Sequence, residues 1–181
     1  LLETTDAMEV VNEILIPALD SAGKLFEQGK IFLPQLIQTA SVAQAAFEVI
    51  KTTLIERNAA PVSRGEIVLA TVKGDIHDIG KNIVRVLLEN YGYTVLDLGR
   101  DVPCQLVADT AKEHGVKLVG LSALMTTTLG AMEETIQLVK QSCPDCKIVV
   151  GGAVLTADYA EKIGADFYAK DAMESVKIAE N

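Results

Sequence analysis

The chain has two histidines in 181 residues. One of them, His77, sits in the run ATVKGDIHDIGKNIV, with Asp75 two residues before it and Gly80 three residues after it. Three chemistries compete for an imidazole so placed. Phosphate cradling by a loop that opens a helix is one, but the spacing is not that of Gly-x-x-x-x-Gly-Lys-Ser/Thr, and Asp75 and Asp78 would repel an anion. A metal held by side chains alone is a second, and it lacks ligands, since three or four are needed. A third needs a single protein ligand: a metal already held by a macrocycle, haem or corrinoid, whose axial position one imidazole fills. Asp75 then has a role, because a ligating histidine usually donates its other ring N–H to a carboxylate, which fixes the tautomer and raises basicity. Against all three stands a helix-capping loop residue with no ligand. From this loop alone, macrocycle ligand and capping residue stay open at even weight.

The surrounding pattern gives the loop its place. From residue 66 onward, short apolar runs, EIVLATV (66–72), TVLDLG (94–99), KLVGLSAL (117–124), KIVVGGA (147–153) and DFYAK (166–170), alternate with helical patterns near 80–91, 103–114, 129–141, 156–163 and 172–180. Continuous short apolar runs are strands buried on both faces. The pattern therefore predicts an α/β fold, a five-stranded parallel sheet of flavodoxin-like (Rossmann-like) order 2-1-3-4-5 with helices on both sides. Ligands of such sheets bind beyond the carboxyl ends of the strands, at the switch point between strands 1 and 3. The first strand-to-helix loop, KGDIHDIGKN, carries His77 there.

Residues 1 to 57 read as helical. Val10, Val11, Ile14, Leu15, Ala18, Leu19, Ala22, Leu25 and Phe26 recur at helical steps. Pro17 is expected to bend that helix, Gly29 to stop it, and Phe32-Leu33-Pro34 to start a second helix. The second carries Leu36, Ile37, Ala40, Ala43, Phe47 and Ile50 on one face. Residues 58–65, NAAPVSRG, read as a linker, leaving 66–181 as the sheet domain. Two helices make little core alone, and the chain opens mid-pattern without a Met, so the reading is of a piece cut from something longer.

Hydrophobic residues are 49% and charged residues 23%, which suits a folded core, and the net charge of −9 disfavours nucleic acid and anionic membrane as partners. No apolar run reaches the roughly 20 residues that span a bilayer, and no leader pattern is seen; the expected location is cytoplasmic. Three cysteines make no disulfide framework. Cys143-Pro-Asp-Cys146 has redox or zinc half-site spacing, but it follows the predicted helix Leu129–Gln141 at its negative end, where a thiolate is disfavoured, and reads as a turn. His114 ends a helix and reads as solvated.

Taken together, Asp75-Ile76-His77-Asp78-Ile79-Gly80, Ser122-Ala123-Leu124 and Gly151-Gly152 resemble the Asp-x-His-x-x-Gly, Ser-x-Leu and Gly-Gly signature of cobalamin-binding proteins that place histidine on cobalt. The three pieces fall in order at the ends of strands 1, 3 and 4. LFEQGKIFLPQLI (25–37) is similar to the helical cap preceding the cobalamin domain in methionine synthases and small corrinoid proteins, so the resemblance spans essentially the whole chain.

The resemblance implies cobalamin bound with its dimethylbenzimidazole displaced from cobalt by His77, and with the nucleotide tail run into the sheet domain. Gly74, Asp75, Ile76, His77, Asp78, Ile79, Gly80, Ser122, Leu124, Thr126, Gly151, Gly152 and Ala172 would contact the cofactor, and Phe26, Leu33 and Leu36 would cover its upper face. It also implies a relay His77–Asp75–Thr128, with Thr128 where the family has Ser, that takes up a proton as cobalt cycles between methylcobalamin and cob(I)alamin. The cap would swing aside for methyl-donor and methyl-acceptor domains or subunits and for a reductive-activation partner, and the chain alone would not complete turnover. The family's cap has four helices, whereas this chain begins inside it. The leading expectation is a module of a methionine synthase-type enzyme delivering methyl to a thiol such as homocysteine. The alternative is a free-standing corrinoid protein of a methanol or methylamine system, which the triple Thr at 126–128 and the size favour. A cobalamin sensor is a third class, disfavoured because such sensors place a Trp over the upper face and this chain has none.

Overall fold

The computed structural model describes residues 7–56 and 63–181. The chain divides into two compact units, Leu1–Arg64 with Val86–Tyr93, and Gly65–Arg85 with Thr94–Asn181. Most of the 58–65 linker lies outside the described residues.

In the first unit, α1 (Ala7–Val10) leads through a π turn (Val11–Leu15) into α2 (Ile16–Glu27). Pro17 has no N–H for the carbonyl of Glu13, and the wider turn lies just ahead of it. The helix is thus widened at its proline. Gly29, at φ +68, closes α2: its N–H reaches the carbonyl of Phe26 (2.9 Å) and that of Lys30 reaches Leu25 (2.9 Å), the double bond of a left-handed C-terminal cap. α3 (Leu33–Glu56) opens with Pro34 in its first turn, and the Gln35 side chain reaches back to accept from Phe32 N–H (3.1 Å). Leu36, Ala40, Ala43 and Ile50 of α3 are buried, whereas Ile37, expected on the same face, is exposed. Among the described residues no helix is long and apolar enough to cross a membrane.

The second unit holds β1 (Glu66–Thr71), β2 (Thr94–Asp97), β3 (Leu118–Ser122), β4 (Lys147–Gly151) and β5 (Phe167–Ala169). They form one sheet of order β2-β1-β3-β4-β5, all parallel. The connecting helices are α4 (Ile79–Asn90), α5 (Cys104–His114), α6 (Leu129–Ser142) and α7 (Ala157–Lys162), and α8 (Ala172–Glu180) ends the chain. The last turns of α4 cluster with the first unit.

Strand alternation sorts the faces. Val68, Ala70, Val72, Val119, Leu121, Ile148 and Val150 pack with Val107, Ala108, Met132, Ile136 and Ala160 of α5, α6 and α7 in one core. Ile67, Leu69 and Thr71 point to the other face, with Ser122 and Gly151 in register beside Thr71. Hence the strand ends on that face form a row of small residues, Thr71, Ser122, Gly151 and Ala169.

Candidate functional site

The β1–α4 loop lies at the carboxyl edge of the sheet, and Asp75 organises it. Its side chain is fully buried. Oδ1 accepts from the backbone N–H of His77 (3.0 Å) and lies 2.8 Å from His77 Nδ1. Oδ2 accepts from the N–H groups of Leu124 (2.7 Å) and Met125 (3.1 Å) and from Thr128 Oγ1 (3.1 Å). Burial alone would raise the pKa of this carboxyl. The amides of His77, Leu124 and Met125 and the His77 ring outweigh it and hold the group well below the usual carboxylate range, so Asp75 is ionised and accepts from every neighbour.

Ionised Asp75 fixes the imidazole's proton. With Oδ1 accepting, Nδ1 carries the N–H, and Nε2 keeps its lone pair. The ring is 46% exposed and makes no second hydrogen bond among the described residues. The arrangement is an imidazole held through Nδ1 by a buried anion, with its ring half-exposed at the surface. Exposed apolar side chains flank it: Ile76, Ile79 (79% exposed), Leu124 and Met125. Apolar side chains gathered beside a polar ligand on open surface mark a contact face rather than a core.

Thr128 stands at the N-cap position of α6 without making the usual capping bond. Its single proton lies between Asp75 Oδ2 and the carbonyl of Met125 (2.8 Å). The structure thus joins His77, Asp75 and Thr128 in one hydrogen-bonded chain. Gly74 precedes Asp75, and Asp78 and Ile79 lead into α4. Gly80, in the first turn of α4, is exposed; a Cβ there would meet no protein atom within 4 Å. Glycine in a helix costs about 1 kcal/mol relative to alanine, and nothing in the protein's own packing requires it. Thr126 is exposed in the 3-10 turn Thr126–Thr128, and Ala172 is half-buried at the start of α8. Gly152 has an internal cause: at φ +136 its Cβ would come 1.8 Å from the carbonyl oxygen of Ala123. Phe26 and Leu33, half-buried, and Leu36, buried, belong to the helical unit.

Several residues here carry no sequence signal. The buried Lys81 ammonium meets the Asp97 carboxylate and the Asn82 side chain (3.2 Å), tying the first turn of α4 to the end of β2. Burial would raise the Asp97 pKa; the Lys81 hydrogen bond, the Gly99 N–H and the charges of Lys81 and Arg85 lower it on balance. Thr71 Oγ1 is buried with no partner, and the neighbouring Ser122 hydroxyl in the same row makes none among the described residues. Away from the site, His114 pairs with Glu66 (3.1 Å). Cys146 is a buried thiol pushed up to about 12 by burial and by Cys143 beside it, which fits a turn rather than a reactive pair.

A macrocyclic metal cofactor fits these residues. One lone pair faces outward from an oriented imidazole, an apolar rim surrounds it, a glycine leaves the surface open at Gly80, and an unsatisfied hydroxyl is buried at the strand ends. The B12 binding domain family matches residues 65–177, and a second B12 binding domain family matches residues 1–51. The chain belongs to the B12-binding domain family. This B12-binding chain is 42% identical over 176 residues to dimethylamine corrinoid protein 1 of Methanosarcina acetivorans, covering 96% of this chain and 82% of that one. It is similar in structure to a cobalamin-binding protein from Desulfitobacterium hafniense (35% identity, TM-score 0.82, 96% and 82% covered). It is also similar to the methanol:cobalamin methyltransferase complex MtaBC from Methanosarcina barkeri (31% identity, TM-score 0.81, 97% and 67% covered). These relatives overturn the methionine synthase expectation. Two of them are named for dimethylamine and methanol, and this B12-binding chain spans about four-fifths of the dimethylamine protein. The three short motifs resemble a signature of cobalamin-binding proteins as a class and so did not separate the two readings; the triple Thr and the size favoured the alternative that these relatives support.

Proposed function

We propose that the chain is a cytoplasmic corrinoid methyl carrier of a methylamine- or methanol-type methyl-transfer system, with His77 as the lower ligand to cobalt. When bound, the cofactor supplies a cobalt that takes up and releases a methyl group. The chain's own residues hold and orient it. His77 Nε2 would hold the cobalt, Asp75 would keep the proton on Nδ1, and the amides of His77, Leu124 and Met125 hold the Asp75 carboxyl below the usual carboxylate range. Ile76, Ile79, Leu124 and Met125 give the macrocycle an apolar seat. Thr71, Ser122 and Gly151 leave room and hydrogen-bonding groups for the displaced dimethylbenzimidazole tail.

The observation that carries this reading is the half-exposed His77 ring held through Nδ1 by a buried carboxylate. The relatives' names support the methylamine or methanol assignment, and the complexed neighbour supports a methyltransferase subunit as partner. A methyl acceptor and a reductive-activation partner complete the cycle, so the chain alone is not expected to turn over. The test is the absorption spectrum after incubation with hydroxo- or methylcobalamin and desalting, for wild type and His77→Ala. Retained corrin bands are expected, with an imidazole-ligated shift that the variant lacks. A folded wild-type sample that retains no corrin refutes the assignment.

A further inference from the structure

The His77 loop is also held by a residue outside the three motifs. Asp101 follows β2 in the segment leading to α5. Its φ is +53, and it is the one non-glycine residue with positive φ among the described residues. Aspartate tolerates that region better than most residues, yet it remains uncommon. Asp101 makes two contacts to the loop. Its Oδ1 accepts from the N–H of Gly74 (2.7 Å), and its N–H donates to the carbonyl of Asp75 (2.9 Å). The neighbouring chain is pinned as well: Val102 N–H bonds the Thr71 carbonyl (3.1 Å), Thr71 N–H bonds Gly99 (2.9 Å), and Val72 bridges Val102. One residue therefore holds both ends of the Gly74–Asp75 dipeptide, immediately before the side chain that orients the imidazole. Gly74 itself sits at φ +84. Strained backbone persists where surrounding structure over-determines it, and such points cluster at functional sites.

We propose that Asp101 is a positioning residue for His77. It fixes the main chain of Gly74–Asp75 so that the Asp75 carboxylate lies under the ring and Nε2 faces outward. This rests on His77 ligating cobalt, and the test keeps the two apart. Asp101→Asn, Asp101→Gly and Asp101→Ala are made in the full chain, each in the wild-type and His77→Ala backgrounds. Hydroxocobalamin is titrated, and both affinity and the imidazole-ligated absorption signature are read, with a thermal melt to verify folding.

In the wild-type background Asp101→Ala is expected to weaken binding about tenfold, the equivalent of one charge-assisted hydrogen bond, and to lower the imidazole-ligated fraction. Asn, which keeps an acceptor and tolerates positive φ, restores both. Gly, which keeps the φ but not the acceptor, falls between, and it carries the test if the Ala protein does not fold. In the His77→Ala background the same changes are expected to have no further effect. An Asp101→Ala protein with wild-type affinity and spectrum overturns the proposal. So does an equal loss in both backgrounds, which marks general loop integrity instead. A His77→Ala protein with the wild-type spectrum refutes the ligation reading, and the positioning role with it.

Discussion

Replacing Asp75 by Asn removes one charge and almost no volume, and it puts the tautomer of His77 to the test. The carboxylate has donors on both sides, two from His77 on Oδ1 and three from Leu124, Met125 and Thr128 on Oδ2. An amide has one oxygen. It is best spent on the side of the two β3-loop amides, where an NH2 group would face two fixed backbone donors. The NH2 then faces His77. The His77 backbone N–H loses its acceptor, and Nδ1 must accept rather than donate, which moves the ring proton to Nε2 and removes the lone pair that ligates. Restoring ligation means turning Nδ1–H toward another donor. Leaving a buried group unsatisfied costs about 1–3 kcal/mol, or roughly fivefold to a hundredfold in affinity. The apo protein loses a similar amount for the orphaned N–H. Urea denaturation reads the stability loss, and cobalamin titration with absorption detection reads affinity and ligation. An Asp75→Asn protein that binds as tightly as wild type with an unchanged imidazole-ligated spectrum refutes the argument that Asp75 sets the tautomer.

Gly80→Ala and Thr71→Val are expected to leave the apo protein as stable or up to about 1 kcal/mol more stable, since the first gains helix propensity and the second removes an unsatisfied hydroxyl. Both are expected to weaken cobalamin binding, read by thermal melts and titration. Gly152→Ala is expected to destabilise by about 3 kcal/mol or more, because its Cβ would overlap the Ala123 carbonyl at a φ that alanine avoids; a circular dichroism melt measures it. Asp97 has a lowered folded pKa, so its contribution is present above the unfolded carboxylate value of about 3.9 and is lost as pH falls through the lower folded value. Asp97→Asn is therefore expected to be less stable than wild type near pH 7, with the gap closing under acid in denaturation curves taken from pH 7 down to 2.

The strand order and the place of His77 were legible because they rest on local signals: continuous apolar runs, alternating helical patterns and the first strand-to-helix loop. The pairing of Asp75 with His77 was legible because the two are neighbours in the chain. Other parts of the site are invisible to composition. The amides of Leu124 and Met125 are backbone groups that any residue would supply. Asp101 reads as one more loop carboxylate until its φ and its two bonds are seen. Lys81 looks like a solvated helix residue, yet it is buried against Asp97. Gly152, which the resemblance puts in contact with the cofactor, also has a cause inside the protein, the carbonyl of Ala123. The methionine synthase reading was overturned by relatives of whole-chain similarity, because short motifs that resemble a signature of cobalamin-binding proteins as a class point to the cofactor and not to the methyl donor.

The wiring of Asp75 also fixes a sequence of events in time. Three of its five donors lie 49, 50 and 53 residues downstream. During synthesis the imidazole emerges well before the strand that completes its support, and loop closures of that span come late in folding. Until β3 is in place beside β1, Asp75 is solvated rather than held by the amides of Leu124 and Met125, and the His77 ring has no fixed orientation. The orientation of the His77 ring is thus a late product of folding, and a chain stalled halfway carries the same two side chains without the geometry that holds them together.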